Sequence, residues 1–168
     1  MKKILIALVA ITLGHFANAQ RVKNSIPSGN PEVTTADPAS NVNPDYVNTK
    51  AVRSFKKAFK NVSDAKWYEM PDGYRANFTL NDVRYRLDFD KNGNWLHTVS
   101  YYNDKKLPTE VRRLVVSSYL DYTITLVEEI ETPGSNKSYI IHLEGQTNWI
   151  NIKVFDQEIT ELAKINKA

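Results

Sequence analysis

Hydrophobic and polar residues alternate most regularly between positions 73 and 90. Apolar side chains occupy positions 74, 76, 78 and 80 in one run and positions 83, 85, 87 and 89 in the next. Residues that favour tight turns bound these runs, at Pro71-Asp72-Gly73, Asn81-Asp82 and Lys91-Asn92-Gly93. Because successive strand residues point to opposite faces, the pattern predicts an antiparallel meander with one buried and one solvated face.

Two other stretches carry apolar residues at helical spacing, and these helices would cover the buried face of the meander. The first begins near Asn48 or Thr49, either of which can cap a helix. The second opens near Pro108, which suits a first turn because its missing N–H does no harm there. The opposite side of the first helix carries basic residues that we interpret as a solvated surface, namely Lys50, Arg53, Lys56, Lys57 and Lys60.

The remaining strands give the chain a repeated order of one helix followed by a meander. Runs at 95–102, 122–131, 137–144 and 147–155 predict strands, and the tail should add only a short strand through Ile159. An offset of 60 residues maps Phe55 onto Val115, and an offset of 66 maps Phe89 onto Phe155. We therefore predict an α+β fold of two tandem α-plus-antiparallel-β-meander repeats, about 47–104 and 105–162, with both helices packed on one face of a continuous antiparallel sheet.

The N-terminal residues have the features of a secretory signal peptide. Lys2 and Lys3 precede an apolar run that is too short to span a bilayer, and Ala17-Asn18-Ala19 is a small-residue cleavage site. We predict a signal peptide at 1–19, cleaved after Ala19, a disordered proline-rich linker at 20–46 and a folded domain at 47–168. The predicted location is periplasmic or secreted.

Composition and charge exclude several classes of function. The 168 residues include no cysteine, which excludes disulfides and thiol chemistry. Without Lys2 and Lys3, the 22 Lys+Arg become 20 against 19 Asp+Glu, and a net charge of +1 predicts no nucleic-acid partner. No later segment approaches membrane-spanning length, so we also expect no membrane partner after signal cleavage.

The candidate catalytic and metal-binding residues are few. His97, on the strand phase of Trp95, and His142 lie in different halves without metal-ligand spacing. In the acidic patch Glu128, Glu129 and Glu131, the first points away from the other two, and nothing sets a catalytic spacing. We therefore predict that the protein is not an enzyme and needs no cofactor.

One motif resembles the opening of a calcium-binding loop. Asp88-x-Asp90-x-Asn92-Gly93 supplies oxygens at positions one, three and five and glycine at position six. Position twelve is Val99 instead of a bidentate glutamate, and strands flank the segment where a helix is needed. We interpret it as a hairpin turn with Gly93 in the left-handed conformation, and predict no metal site.

A set of aromatic, glycine and proline positions forms five short motifs along the folded part. The motifs are Phe59-x-x-Val62, Ala65-x-Trp67, Gly73-Tyr74-x-Ala76-x-Phe78, Tyr85-x-x-Asp88-x-Asp90-x-x-Gly93-x-Trp95-Leu96 and Leu107-Pro108-x-x-Val111. Together they resemble a known family, the secreted PepSY-like proteins of Bacteroidetes, which are similar to β-lactamase inhibitory protein. The likeness covers roughly residues 48–162 and implies two tandem repeats and a non-enzymatic binding or inhibitory role, without catalytic residues.

The solvated face of the sheet is the candidate partner surface, since arginine, tyrosine and tryptophan dominate binding hot spots. The hypothesis is a binding protein that docks a protein of the envelope or exterior, such as an exported hydrolase or peptidase that it inhibits or regulates. The alternative is a small-ligand carrier or envelope sensor with its ligand in a cleft between the two halves. The predicted partner-binding residues are Tyr68, Arg75, Arg84, Arg86, Trp149 and Lys153.

Overall fold

The computed structural model describes residues 40–134 and 137–168, which form one antiparallel sheet and two helices. Each strand pairs with its neighbours in sequence, so the spatial order equals the chain order. The α+β architecture predicted from the sequence is confirmed. The elements are β1 (Ser40–Val42), α1 (Thr49–Ala58), β2 (Lys66–Met70), β3 (Gly73–Leu80), β4 (Val83–Asp90), β5 (Trp95–Tyr102), α2 (Thr109–Ser118), β6 (Thr123–Glu131), β7 (Lys137–Glu144), β8 (Asn148–Phe155) and β9 (Glu158–Asn166).

The two helices begin differently although each has ten residues. The side chain of Asn48 caps α1 by accepting a hydrogen bond of 2.9 Å from the backbone N–H of Lys50. Pro108 occupies the corresponding position of α2 and makes no side-chain cap. Neither helix, nor any other in the described ranges, is long and apolar enough to cross a membrane.

Both helices pack on the same face of the sheet, which we call the helix face. Below α1 the core is aromatic: the ring centroid of Phe55 lies 5.4 Å from those of Trp67 and Phe78. Below α2 the core is mostly aliphatic and includes Val115. Tyr85 lies between the two cores and contacts both, so they form one hydrophobic layer.

The pairing register assigns each strand residue to the helix face or to the opposite, outer face. Trp67 pairs with Ala76, and Ala76 with Leu87, along the helix face. The neighbours of these residues point the other way. Arg75, which precedes Ala76, pairs with Asp88, which follows Leu87, along the outer face. Neither α1 nor α2 packs on the outer face, because the residues they bury belong to the two cores of the helix face.

The folded part begins earlier than the sequence predicts, and its last strand is longer. Residues 40–46, assigned to the linker, form β1 and a 3₁₀ helix (Pro44–Tyr46), and Val42 packs on the first core. Strand β9 continues to Asn166 instead of ending near Ile159. Both edge strands are held by backbone hydrogen bonds from a neighbour, which their polar sequences do not reveal. The predicted signal peptide and residues 20–39 lie outside the described residues.

The predicted correspondence between the halves is wrong by one residue in the later strands. Ala76 pairs with Trp67 as Ile141 pairs with Val127, which gives an offset of 65 instead of 66. Phe89 is 2% exposed on the helix face, whereas Phe155 is 46% exposed on the outer face. Val154 takes the place of Phe89. A one-residue slip exchanges the two faces of a strand, so the offset of 66 matches a residue of the helix face with one of the outer face.

A bulge in β5 also changes one predicted side-chain direction. Asp88 pairs with His97 and Phe89 pairs with Trp95, so the strand contains one extra residue, Leu96. His97 therefore lies on the outer face and Trp95 on the helix face, although the sequence pattern placed them together. The bulge brings the imidazole next to the carboxylate of Asp88.

Candidate functional site

All six predicted partner-binding residues lie on the outer face, but in two separate groups. Tyr68, Arg75, Arg84 and Arg86 belong to strands β2, β3 and β4. Trp149 and Lys153 belong to β8, four strands from β4, which is roughly 19 Å at the usual strand spacing. The sequence therefore predicts the face correctly but does not place these residues in one compact site.

The first group surrounds a buried carboxylate that the prediction did not include. Asp88 is 8% exposed. Its oxygens lie 2.6 Å from Arg75 Nε and 2.8 Å from His97 Nε2, and Arg86 Nε is 3.4 Å away. We call these four residues the Asp88 cluster. Two guanidinium groups around one carboxylate leave the cluster with a net positive charge.

The cluster holds Asp88 in its ionised form. Burial by itself would raise the pKa of this carboxyl group. Hydrogen bonds from His97 and Arg75, together with the charges of Arg75 and Arg86, outweigh burial, so the pKa of Asp88 lies below its ordinary value. The carboxylate in turn holds Arg75 by a hydrogen bond and attracts Arg86, which lies within ion-pair distance on the open sheet.

One atom of the cluster and one atom beside it are buried and have no hydrogen-bond partner within residues 40–134 and 137–168. They are Arg86 Nε, whose approach to Asp88 lacks hydrogen-bond geometry, and Oδ1 of Asn77, which pairs across the strands with Arg86. Val99, also on the outer face, is only 2% exposed. The centre of this face thus combines a buried apolar side chain with a buried donor and a buried acceptor that have no partner among the described residues.

Further polar contacts extend the surface from β4 to β7. The guanidinium of Arg84 stacks on the ring of Tyr101 at 4.6 Å from its centroid. Nε2 of His142 lies 2.9 Å from Oε1 of Glu128. Burial raises the pKa of Tyr101, so its hydroxyl stays protonated and remains a hydrogen-bond donor.

The second group, on β8, consists of side chains that rest on local neighbours. The ammonium of Lys167 lies 4.9 Å from the centre of the Trp149 ring and 2.7 Å from Glu144 Oε1. Lys153 lies 5.6 Å from the ring of Phe155. This end of the outer face is more apolar than the Asp88 cluster and has no ionic network comparable to it in the described chain.

Sequence reasoning missed Asp88 and His97 as parts of this surface. Arg84, Arg86 and Asp88 share one strand phase, so alternation alone places the carboxylate beside the two arginines. The sequence analysis considered Asp88 only as the first residue of the calcium-like motif. No sequence signal predicts the approach of His97, because it depends on the bulge in β5.

The calcium-like motif is a hairpin turn, as interpreted from the sequence. Gly93 has a φ of 75°, in the left-handed region. The carboxylate of Asp90 accepts hydrogen bonds from the backbone N–H and side-chain amide of Asn94 at 2.8 and 2.7 Å. Within the part of the chain that the structure describes, no three His, Cys, Asp or Glu side chains are grouped to hold a metal ion.

Two clefts lie within the halves and not between them. An open cleft of about 370 Å³ adjoins the Asp88 cluster and is lined by residues 70–75, Leu96 and His97. A second, of about 200 Å³, lies between α2 and the β8–β9 turn, with Val111 and Leu114 among its apolar lining. Neither cleft lies between the two halves, where the alternative hypothesis from the sequence placed a small ligand.

The fold of this chain is similar to those of several solved structures. No protein-family model and no curated protein matches the chain. A BLIP-like protein from Bacteroides fragilis matches with a TM-score of 0.58 and 22% identity, over 71% of this chain and 86% of that chain. The chain shares the fold of a BLIP-like protein.

Two further solved structures have the same architecture. A DUF2874 family protein from Bacteroides ovatus gives a TM-score of 0.59 at 20% identity, over 71% of this chain and 87% of that chain. A candidate periplasmic protein from Bacteroides eggerthii gives 0.58 at 16% identity, over 72% and 89%. At these identities the similarity establishes the helices and the sheet, and it leaves function to be argued from the site.

Proposed function

We propose that this protein is a non-enzymatic binding protein of the periplasm or cell exterior that docks a protein partner on its outer sheet face. The observation that carries the proposal is the Asp88 cluster, which fixes Arg75 and Arg86 on a sheet face that neither helix covers. Fixed arginines lose little side-chain entropy on binding, so they suit the centre of an interface.

The chemistry of the face suits a protein surface better than a small substrate. The side chains of Arg86 and His97 remain 28% and 31% exposed, so a carbonyl or carboxylate of a partner can reach them. Tyr68, Arg84 and Trp149 add the residue types that dominate interface energetics. The positive Asp88 cluster favours an acidic patch on the partner.

The family resemblance adds the finer parts of the proposal. Two tandem repeats that arose by duplication would account for the repeated order of helix and meander. The predicted signal peptide would deliver the mature chain to the periplasm or exterior. There, inhibition or regulation of an exported hydrolase or peptidase is the function that the likeness to a BLIP-like protein suggests.

Affinity capture with matched variants tests the proposal. The chain from residue 20 onward is immobilised and exposed to an envelope extract of its own cells. Arg84→Ala and Trp149→Ala remove one residue from each group on the outer face. Arg113→Ala and Leu120→Ala remove an arginine and a large apolar side chain that are exposed on or beside α2, and serve as controls.

A partner of the outer face should be captured by the wild type and by both controls, and lost with at least one outer-face variant. Melting temperatures within 2 °C of the wild type, consistent with surface substitutions, would show that the variants are folded. Capture that survives both outer-face substitutions, or is lost equally in the controls, contradicts the proposed surface.

The alternative of a small-ligand carrier has one observation in its favour. The open cleft beside the Asp88 cluster has the volume of a small-ligand site, and Arg75 and His97 line it. Native mass spectrometry of the protein purified from its own cells would show a bound molecule that Arg75→Ala releases. A mass equal to that of the bare chain contradicts this alternative.

A further inference from the structure

The exposed side of α1 concentrates positive charge. It carries Lys50, Arg53, Lys56 and Lys57, and Lys60 follows in the next turn. All five side chains are exposed, and at 100° per residue the four within α1 lie within about a third of the helix circumference. None of the five forms an ion pair with an acidic residue of the described chain, and Lys50 instead donates to the side-chain oxygen of Asn94.

The corresponding side of α2 has a different character. Sixty residues later, the five positions hold Glu110, Arg113, Val116, Ser117 and Leu120. The arginines of α2 are paired, since Arg112 lies 3.0 Å from Asp104 and Arg113 lies 2.7 Å from Glu110. The fold therefore does not require a basic face at this position, and the uncompensated charge is a property of α1 alone.

The rest of the folded part has an excess of acidic residues. Residues 40–168 contain 18 lysines and arginines and 17 acidic residues. Five of these cations lie on α1 or in the turn after it, so 13 cations remain against 17 acids elsewhere. A net charge near zero for the whole domain thus conceals a basic patch on one side.

Contacts at the start of α1 fix the position of this patch. The side-chain amide of Asn48 donates to the carbonyl of Lys91 at 3.1 Å, which joins the helix to the β4–β5 turn. A Cβ atom at Gly93 would lie 2.8 Å from the backbone nitrogen of Ala51, so only glycine permits this close approach. The helix consequently presents its basic side as a rigid surface.

From these observations we infer that the basic side of α1 docks on the phosphate groups of an anionic phospholipid bilayer. Lysine ammonium groups are compact point charges, which suit a diffuse layer of phosphates more than a bidentate site on a protein. Each basic residue near such a surface contributes about fivefold to binding. This departs from the expectation, based on the sequence, of a merely solvated face and no membrane partner.

The inference is independent of the proposed protein-binding surface. Because α1 lies on the helix face, a bilayer bound there leaves the outer face free for a partner. The outer-face substitutions Arg84→Ala and Trp149→Ala should leave vesicle binding unchanged. Failure of either proposal is therefore distinguishable from failure of the other.

Vesicle sedimentation tests the inference with the chain from residue 20 onward. The probes are vesicles of phosphatidylcholine with 30% phosphatidylglycerol, and vesicles of phosphatidylcholine alone, as about one charge in three lipids is typical of an anionic surface. Lys56→Gln/Lys57→Gln removes two charges from α1 while keeping helix propensity. Lys105→Gln/Lys164→Gln removes two exposed charges elsewhere and is the matched control.

We expect binding to the anionic vesicles only, about 30-fold weaker partitioning for the α1 variant, less than twofold change for the control, and release at 0.5 M salt. Equal weakening by both variants would show an effect of net charge alone and overturn the inference. Absence of binding to anionic vesicles would also overturn it. So would complete competition by a soluble polyanion such as DNA at equal charge concentration, which would indicate a general polyanion site.

Discussion

In each half of this protein a ten-residue helix packs on antiparallel strands, but the two cores contain different side chains. Phe55 in α1 and Val115 in α2 are both buried and both stand over the centre of a meander. Around Phe55 lie the rings of Phe59, Trp67 and Phe78, whereas the strands below Val115 supply mainly valine, isoleucine and leucine. The comparison shows that the fold depends on the pattern and volume of apolar residues more than on their identity.

The ends of the two halves differ in how closely helix and sheet approach. In the first half, Gly93 lets the β4–β5 turn contact the start of α1. In the second half, the β8–β9 turn contains Asp156 and Gln157, both with positive φ, and a cleft of about 200 Å³ separates it from α2. The strand turn therefore contacts the helix in the first half, whereas a cleft lies between turn and helix in the second half.

The outer faces of the halves differ most, and this matters for function. With the observed offset of 65, Arg75 and Asp88 correspond to Ile140 and Lys153, and the register then places Thr160 where His97 stands. The Asp88 cluster therefore occurs in the first half only. The outer face can carry different side chains in the two halves, because these side chains are not needed for the core.

Truncation of Phe55 should give the largest effect, and truncation of Val115, its counterpart in α2, a smaller one. Phe55→Ala removes a ring that contacts three others, and should lower the free energy of unfolding by about 4 kcal/mol. Val115→Ala removes two methyl groups and should cost about 2 kcal/mol. Urea denaturation followed by tryptophan fluorescence and circular dichroism measures both values. Equal losses would contradict the view that the aromatic core contributes more than the aliphatic one.

A methyl group at Gly93 should have the next largest effect. Gly93→Ala combines a left-handed φ with a Cβ 2.6 Å from Asn48 Oδ1, and should cost about 3 kcal/mol. The control is Gly134→Ala, where φ is also positive but no atom lies within 4 Å, with an expected cost of about 1 kcal/mol. If thermal melts show similar losses for the two variants, the close contact between turn and α1 contributes nothing beyond backbone strain.

Removal of the charge on Asp88 should have a smaller effect than the changes at Phe55 and Gly93, and one that depends on pH. Asp88→Asn removes a carboxylate that Arg75 and Arg86 share and should cost about 2 kcal/mol at pH 7. Because the folded-state pKa lies below the ordinary value, this contribution is complete above about pH 4 and disappears as the pH falls through the folded pKa. Lys153→Gln, at the corresponding exposed position, should change stability by less than about 0.5 kcal/mol.

Unfolding measurements from pH 7 to pH 2 on wild type and Asp88→Asn would show this dependence. The difference between the two proteins should narrow below pH 4. A difference that stays constant across this range would mean that the ionised carboxylate is not what stabilises the cluster.

The spacing of apolar residues along the chain was sufficient to predict the helices, most strands and the face on which the six partner-binding candidates lie. Tyr68, Arg75 and Trp149 were all assigned to the outer face, where the structure has them. Such assignments succeed because the period of a strand is a local property: two neighbouring residues always point to opposite sides. The left-handed turn at Gly93 was also predictable, because turn-forming residues are a local signal as well.

Contacts between strands were decided only by the tertiary structure. The bulge at Leu96, the offset of 65 and the full length of β9 depend on hydrogen bonds to a neighbouring strand, which local sequence does not encode. The Asp88 cluster assembles from three strands, so its geometry could not be read from any one of them. The sequence by itself determined which side chains face outward, and the packing of the strands determined which of them meet.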